Sequence, residues 1–130
     1  MHQVVLLWVP STKTALSFDV PGGVNGTEAL SIDLHGAITG IYTDSNFVKH
    51  GFLRSPPGVF TTFDAPGAVF GTVAASINNY GAVAGYFSDA KGVTHGYMRD
   101  PYGKFTISSV IPRSINDYGM TAGYVSVAIK

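Results

Sequence analysis

The sequence predicts an all-β chain built from repeated, four-stranded antiparallel units, and three observations carry that expectation. Residues 18–62 align without a gap on residues 63–107, with 22 of 45 positions identical. Turns ending in Gly interrupt the chain at short intervals, as hairpin connections do. Apolar residues nowhere recur at helical spacing, and the Gly and Pro positions break any helix longer than two turns.

The elements follow from the repeat. A partial unit over 1–17 leads the chain, where LLWVP echoes FLRSP and TALSFDVPG echoes FTTFDAPG. In the unit 18–62, Phe18-Asp19, Pro21-Gly22, Ser31-Ile32, His50-Gly51, Arg54 and Phe60-Thr61 each have a counterpart 45 residues later, in the unit 63–107. That second unit reads as a strand over AASIN (74–78), a turn at Asn79-Tyr80-Gly81, and a strand over AVAGYFSD. A turn over 88–92, the strand VTHGYMRD, a turn at Pro101-Tyr102-Gly103 and the strand KFTISSV complete it. A partial unit over 108–130 closes the chain: SINDYGMTAGY repeats SINNYGAVAGY of 76–86 after 38 residues, seven fewer than the period.

Four antiparallel strands per 45 residues is the arithmetic of a β-propeller blade. The expected fold class is therefore all-β and β-propeller-like, a single repeat domain over 1–130. The chain opens with the third and fourth strands of one unit and closes with the first and second of another. Paired together, the terminal parts make one composite blade, giving about three blades per chain. Three is fewer than the four to eight that close a propeller, so completion by oligomerisation is expected, with a homodimer giving six blades. A segment of a longer array and a compact monomeric barrel or sandwich are the competing readings.

Composition narrows the function. Eight Lys and Arg balance eight Asp and Glu, and charged residues are only 12% of the chain. No basic field exists to attract nucleic acid or a membrane surface. The longest apolar run, Val4 to Val9, is far short of the roughly 20 residues that span a bilayer. No cationic segment precedes it and no small-residue cleavage site follows, so it does not read as a signal peptide. With no cysteine there is neither disulfide nor thiolate chemistry. Four scattered His lack metal-ligand spacing, and no phosphate loop or dinucleotide fingerprint is present, so neither a metal nor a cofactor is expected.

The cycle FTTFDAPGA…SINNYGAVAGYFSD…GVTHGYMRDP resembles the bacterial extracellular tandem repeats of the HAF type, over nearly the whole chain. Units of that family combine a GIN-x-x-G-x-x-x-G hairpin, an H-(A/G)-F-L strand and a D-x-P-G turn. The resemblance implies a β-propeller-like fold and an extracellular or cell-surface location, and brings no settled biochemical activity. The chain departs from the pattern at IDLHG (32–36), which lacks the turn Asn, and in its shortened last unit.

Candidate site residues fall into two sets. The first recurs with the unit. His50 with Arg54, and His95 with Arg99, share one face of their strands by alternation. Presented once per blade, they fit a ligand-binding ring; alternatively each His pins its blade by bonding a neighbouring turn, with Asp44 or Asp89 as partner. Turn residues Tyr80, Tyr102 and Tyr118 offer rings that stack on sugars. Asn78, Asn116 and Asp33 suit Asx-type hairpin corners, and Asp19 and Asp64 suit caps of the Pro-Gly turns through their own backbone amides. Ser31, Ser76 and Ser114 are small enough for contact between blades. The second set breaks the repeat. Glu28 replaces Val73, and His35 stands where other units have Tyr80 and Tyr118. Glu28 and His35 with Asp33 are the catalytic candidates for a glycosidase- or esterase-type hydrolase in a central cleft. The leading expectation is a non-catalytic, self-assembling module that binds carbohydrate or a protein partner.

Overall fold

The computed structural model describes residues 2–126. Its elements are twelve β-strands in four antiparallel sheets, with no helix among the described residues. Strands β1 (Val5–Val9) and β2 (Thr14–Phe18) pair as a two-stranded sheet. Strands β3 (Thr27–Ile32), β4 (Ile38–Thr43), β5 (Lys49–Ser55) and β6 (Val59–Phe63) form a meander, as do β7 (Gly71–Ile77), β8 (Val83–Ser88), β9 (Thr94–Arg99) and β10 (Phe105–Ser108). Strands β11 (Ile111–Ile115) and β12 (Thr121–Tyr124) make a second two-stranded sheet. Strand β7 starts three residues before the apolar run suggested, because Thr72 and Val73 already pair with Phe87 and Tyr86.

Among the described residues the two terminal sheets do not pair with one another within the chain, and no sheet is closed. They stand beyond opposite sides of the two complete meanders. Strand β1 packs on β3; β7 packs on β3, β4 and β5; and β11 packs on β7, β8 and β9.

The meanders share one register. Each first strand carries a bulge, at Ala29/Ser31, Ala74/Ser76 and Pro112/Ser114, which re-aims the strand locally. Gly40 pairs with Phe52, and Gly85 with Tyr97. Both rings are fully buried, and glycine is what lets them lie on the backbone. A methyl group at Gly40 would meet Glu28 O at 2.0 Å and the Phe52 ring at 2.9 Å. One at Gly85 would meet Val73 O at 1.9 Å and the Tyr97 hydroxyl at 2.7 Å. Around these rings the core divides into three small clusters. One packs Val20, Ile38 and Phe52 with Leu7, Phe18 and Phe60. Another joins Ala37 to Ala74, Ile77 and Val83, and the third groups Ala65, Phe87 and Tyr97.

Six hairpin loops use one device. Each opens on an Asp or Asn whose Oδ1 accepts from the backbone N–H groups two and four residues on. Asp33 takes His35 and Ala37, Asp44 takes Asn46 and Val48, and Asn78 takes Tyr80 and Ala82. Asp89 takes Lys91 and Val93, Asp100 takes Tyr102 and Lys104, and Asn116 takes Tyr118 and Met120. In five of these loops the fourth residue is a Gly at positive φ; in the sixth it is Phe47, at φ 63.

Candidate functional site

The charged and aromatic candidates separate into the two ends of the sheets. At the end carrying the β4–β5 and β8–β9 loops, histidines tie elements together. His50 donates from Nε2 to Asp44 Oδ2 (2.7 Å) and from Nδ1 to Asp64 Oδ1 (2.6 Å), and its ring stacks on Tyr42. Burial of the ring opposes the charge, but the two carboxylates outweigh it and raise the His50 pKa. The His50 hydrogen bond, helped by the Val48 amide, holds the Asp44 carboxyl below its ordinary range. Because the carboxylates take opposite ring nitrogens, they stand on either side of the imidazole and cannot share one ion. His95 bonds Asp89 through Nε2 at 2.8 Å, which lowers the Asp89 pKa, and its ring tilts against Phe87.

His2, which no sequence argument singled out, makes the corresponding tie at the front of the chain. It donates to Asp19 Oδ2 (2.5 Å) and to Val24 O (3.1 Å), and the Asp19 bond raises its pKa. The carboxylates of Asp19 and Asp64 thus reach across to other elements. Asp19 also accepts from the Thr27 hydroxyl, while Thr27 and Thr72 themselves accept the backbone N–H groups of Val20 and Ala65. A buried Thr at the head of the first strand thus does the turn-fixing work. The threonine recurs 45 residues apart in the sequence, which is the signal that would have marked it.

The arginines lie over rings. Arg54 sits 4.7 Å from the Phe18 ring centroid, and Arg99 sits 4.9 Å from that of Phe63. Each places the third strand of one meander against the last strand of the preceding sheet, a cation–π contact worth about 0.5–2 kcal/mol. The Nε atom of each is buried without a hydrogen-bond partner.

Of the catalytic candidates, Asp33 and His35 share one turn, and Glu28 is held away from Asp33. Glu28 is exposed on β3, five residues from Asp33, which at about 3.3 Å per residue puts their backbones about 16 Å apart. The two carboxyls of a glycosidase stand about 5–9.5 Å apart. Asp33 Oδ1 is committed to its turn, and His35 is exposed at the tip of that turn.

At the opposite end, the β3–β4, β7–β8 and β11–β12 hairpins form a row joined by side chains. Leu34 N donates to Asn79 Oδ1 (2.7 Å); Asn79 N donates to Asp117 Oδ1 (2.8 Å) and Asn79 Nδ2 to Asp117 Oδ2 (2.9 Å). These two bonds lower the Asp117 pKa. Buried Asn78 adds an Nδ2 bond to Asn116 O (3.0 Å). Tyr80 and Tyr118 project from this row and Tyr102 from the β9–β10 loop at the same end; they are 73%, 91% and 95% exposed. Below the tips, the serines join first strand to first strand, Ile77 N donating to Ser31 Oγ and Ile115 N to Ser76 Oγ, both at 3.2 Å. Comparison of the chain with protein-family models, curated proteins and solved structures finds no match.

Proposed function

We propose that the chain is a non-catalytic, β-propeller-like repeat module of the HAF type, whose hairpin-tip face binds carbohydrate through Tyr80, Tyr102 and Tyr118. The single observation that carries the reading is the exposure of these three rings at one end of the sheets, on loops locked by Asx bonds and by the Asn79–Asp117 pair. A tyrosine ring offers an apolar face to the C–H side of a sugar and a hydroxyl to its polar edge. Holding the loops rigid in advance lowers the ordering entropy that binding has to overcome.

The polar groups elsewhere support binding over catalysis. Both nitrogens of His50 bond carboxylates, leaving none to take a proton from a substrate, and the Arg54 and Arg99 guanidiniums pack on phenylalanines. A panel of soluble oligosaccharides, followed by isothermal titration, tests the reading. Tyr80→Ala/Tyr102→Ala/Tyr118→Ala should abolish binding, while Glu28→Gln should leave it unchanged. Failure to bind any member, or equal binding by the triple variant, would reject it.

A further inference from the structure

We infer that β11–β12 of a second copy of this chain fills the cleft between β1 and β3, and that two such junctions close two chains head to tail into a ring. The inference rests on reading the sheets as propeller blades and is separate from what the tyrosine face binds.

The β1–β3 contact repeats those of β5 with β7 and of β9 with β11, third strand against the next first strand. Strands β7 and β11 also pack on the first two strands of the sheet before them, and among the described residues β3 has no such strands beside it. Equivalent residues record the gap. Ile77 is 6% exposed but its counterpart Ile32 is 53% exposed; Phe52 is 0% exposed but its counterpart Leu6 is 68% exposed. Between them lies an apolar cleft of about 340 Å³ lined by Leu6, Leu7, Trp8, Ala29, Ile32 and Ile38. The missing pieces are a first and a second strand, which is what β11 and β12 are.

Four features match across the junction. Carrying over the β4–β5 and β8–β9 registers sets Gly123 opposite Leu6, Ala122 opposite Leu7 and Thr121 opposite Trp8. Gly123 then receives Leu6 as Gly40 receives Phe52 and Gly85 receives Tyr97. Ser114, the third serine of the series, meets Ile32 N as Ser31 meets Ile77 N and Ser76 meets Ile115 N. Finally, Arg54 lies on Phe18 and Arg99 on Phe63, whereas the corresponding pair here is Trp8 and Ser108, a larger ring against a smaller partner. Exposed Met120 takes the position of Ala37, which packs against Ile77. Each chain supplies both halves of the junction, so the contact is heterologous, and two chains give six blades, within the four to eight that close.

The chain has no cysteine, so introduced ones report cleanly. An equimolar mixture of Leu7→Cys and Ala122→Cys chains, mildly oxidised, should give a species of twice the 13.7 kDa chain mass in denaturing gels. Either variant oxidised alone should remain at the single-chain mass. Cross-linking of Leu7→Cys with itself, an intrachain link in the double variant, or a ladder of longer polymers overturns the two-chain ring. Unmodified protein gives a second readout that does not depend on these substitutions. Trp8 is the only tryptophan, so its emission should shift to the red on dilution as the mass from light scattering halves. A monomer at all concentrations with unchanging emission rejects the ring. If that monomer still binds oligosaccharide through its tyrosines, the proposed function stands without it.

Discussion

Replacing Asn78 by Ala should cost the fold more than the same change at Asn116, although both residues open the same kind of turn. Asn78 is buried and makes three bonds: Oδ1 accepts from Tyr80 N (3.0 Å) and Ala82 N (2.9 Å), and Nδ2 donates to Asn116 O (3.0 Å). Asn116 is exposed and accepts from Tyr118 N and Met120 N, both at 3.0 Å. A net hydrogen bond contributes about 1 kcal/mol, and a donor or acceptor stranded away from water loses more than one that water can reach. The expected loss is therefore about 3 kcal/mol for Asn78→Ala and about 1 kcal/mol for Asn116→Ala. Urea unfolding followed by far-ultraviolet circular dichroism measures both. With a slope of about 1–3 kcal/mol/M for a small domain, a gap of about 2 kcal/mol separates the midpoints by roughly 1 M. Equal midpoints for the two variants, at unchanged slope, would refute the claim that the Asn78 side chain bridges the β7–β8 and β11–β12 hairpins.

Three further outcomes follow from the same geometry. Phe47→Gly should stabilise by about 1 kcal/mol, since it removes an exposed side chain from a left-handed backbone position; a loss of stability would contradict the turn assignment. Gly40→Ala should prevent folding or lower the midpoint severely, whereas Gly92→Ala, with open space around its methyl, should cost about 1 kcal/mol for its positive φ alone. Stability should also follow pH on both sides of the His50 tie. The lowered Asp44 pKa gives stability that is present above the unfolded carboxylate range and is lost as pH falls through the folded value. The raised His50 pKa gives stability that is full below the unfolded value near 6.5 and is lost as pH rises through the folded one. His50→Gln should thus lower the urea midpoint more at pH 5.5 than at pH 8.5, and an equal loss at both would show that the ring acts by packing alone.

Local interactions explain what was legible in the residues themselves. The order of strands, the all-β class and the hairpins at Asn78 and Asn116 depend on neighbours within about five positions, where turn chemistry and repetition speak directly. The same signal, an Asp or Asn three residues before a Gly, also marks Asp89, inside the turn expected over 88–92, and Asp100, which the expected strand VTHGYMRD had absorbed. Asp44 escaped even that pattern because Phe47 stands where the other loops have Gly.

Taken alone, the sequence determined the repeat, its strands and its turns, because each is closed by bonds between near neighbours. Only the tertiary structure decided the full set of partners that the repeated polar groups take. His50 was open between ligand ring and internal staple with Asp44 as a partner, and its second bond, to Asp64 fourteen residues on, emerges only once β5 and the turn after β6 stand side by side. Glu28 and Asp33 looked like a carboxylate pair by number, yet a strand's rise holds them apart. The exposure of Ile32 against the burial of Ile77 was likewise invisible in two nearly identical segments, since burial is set by the sheet that lies across a strand and not by the strand itself.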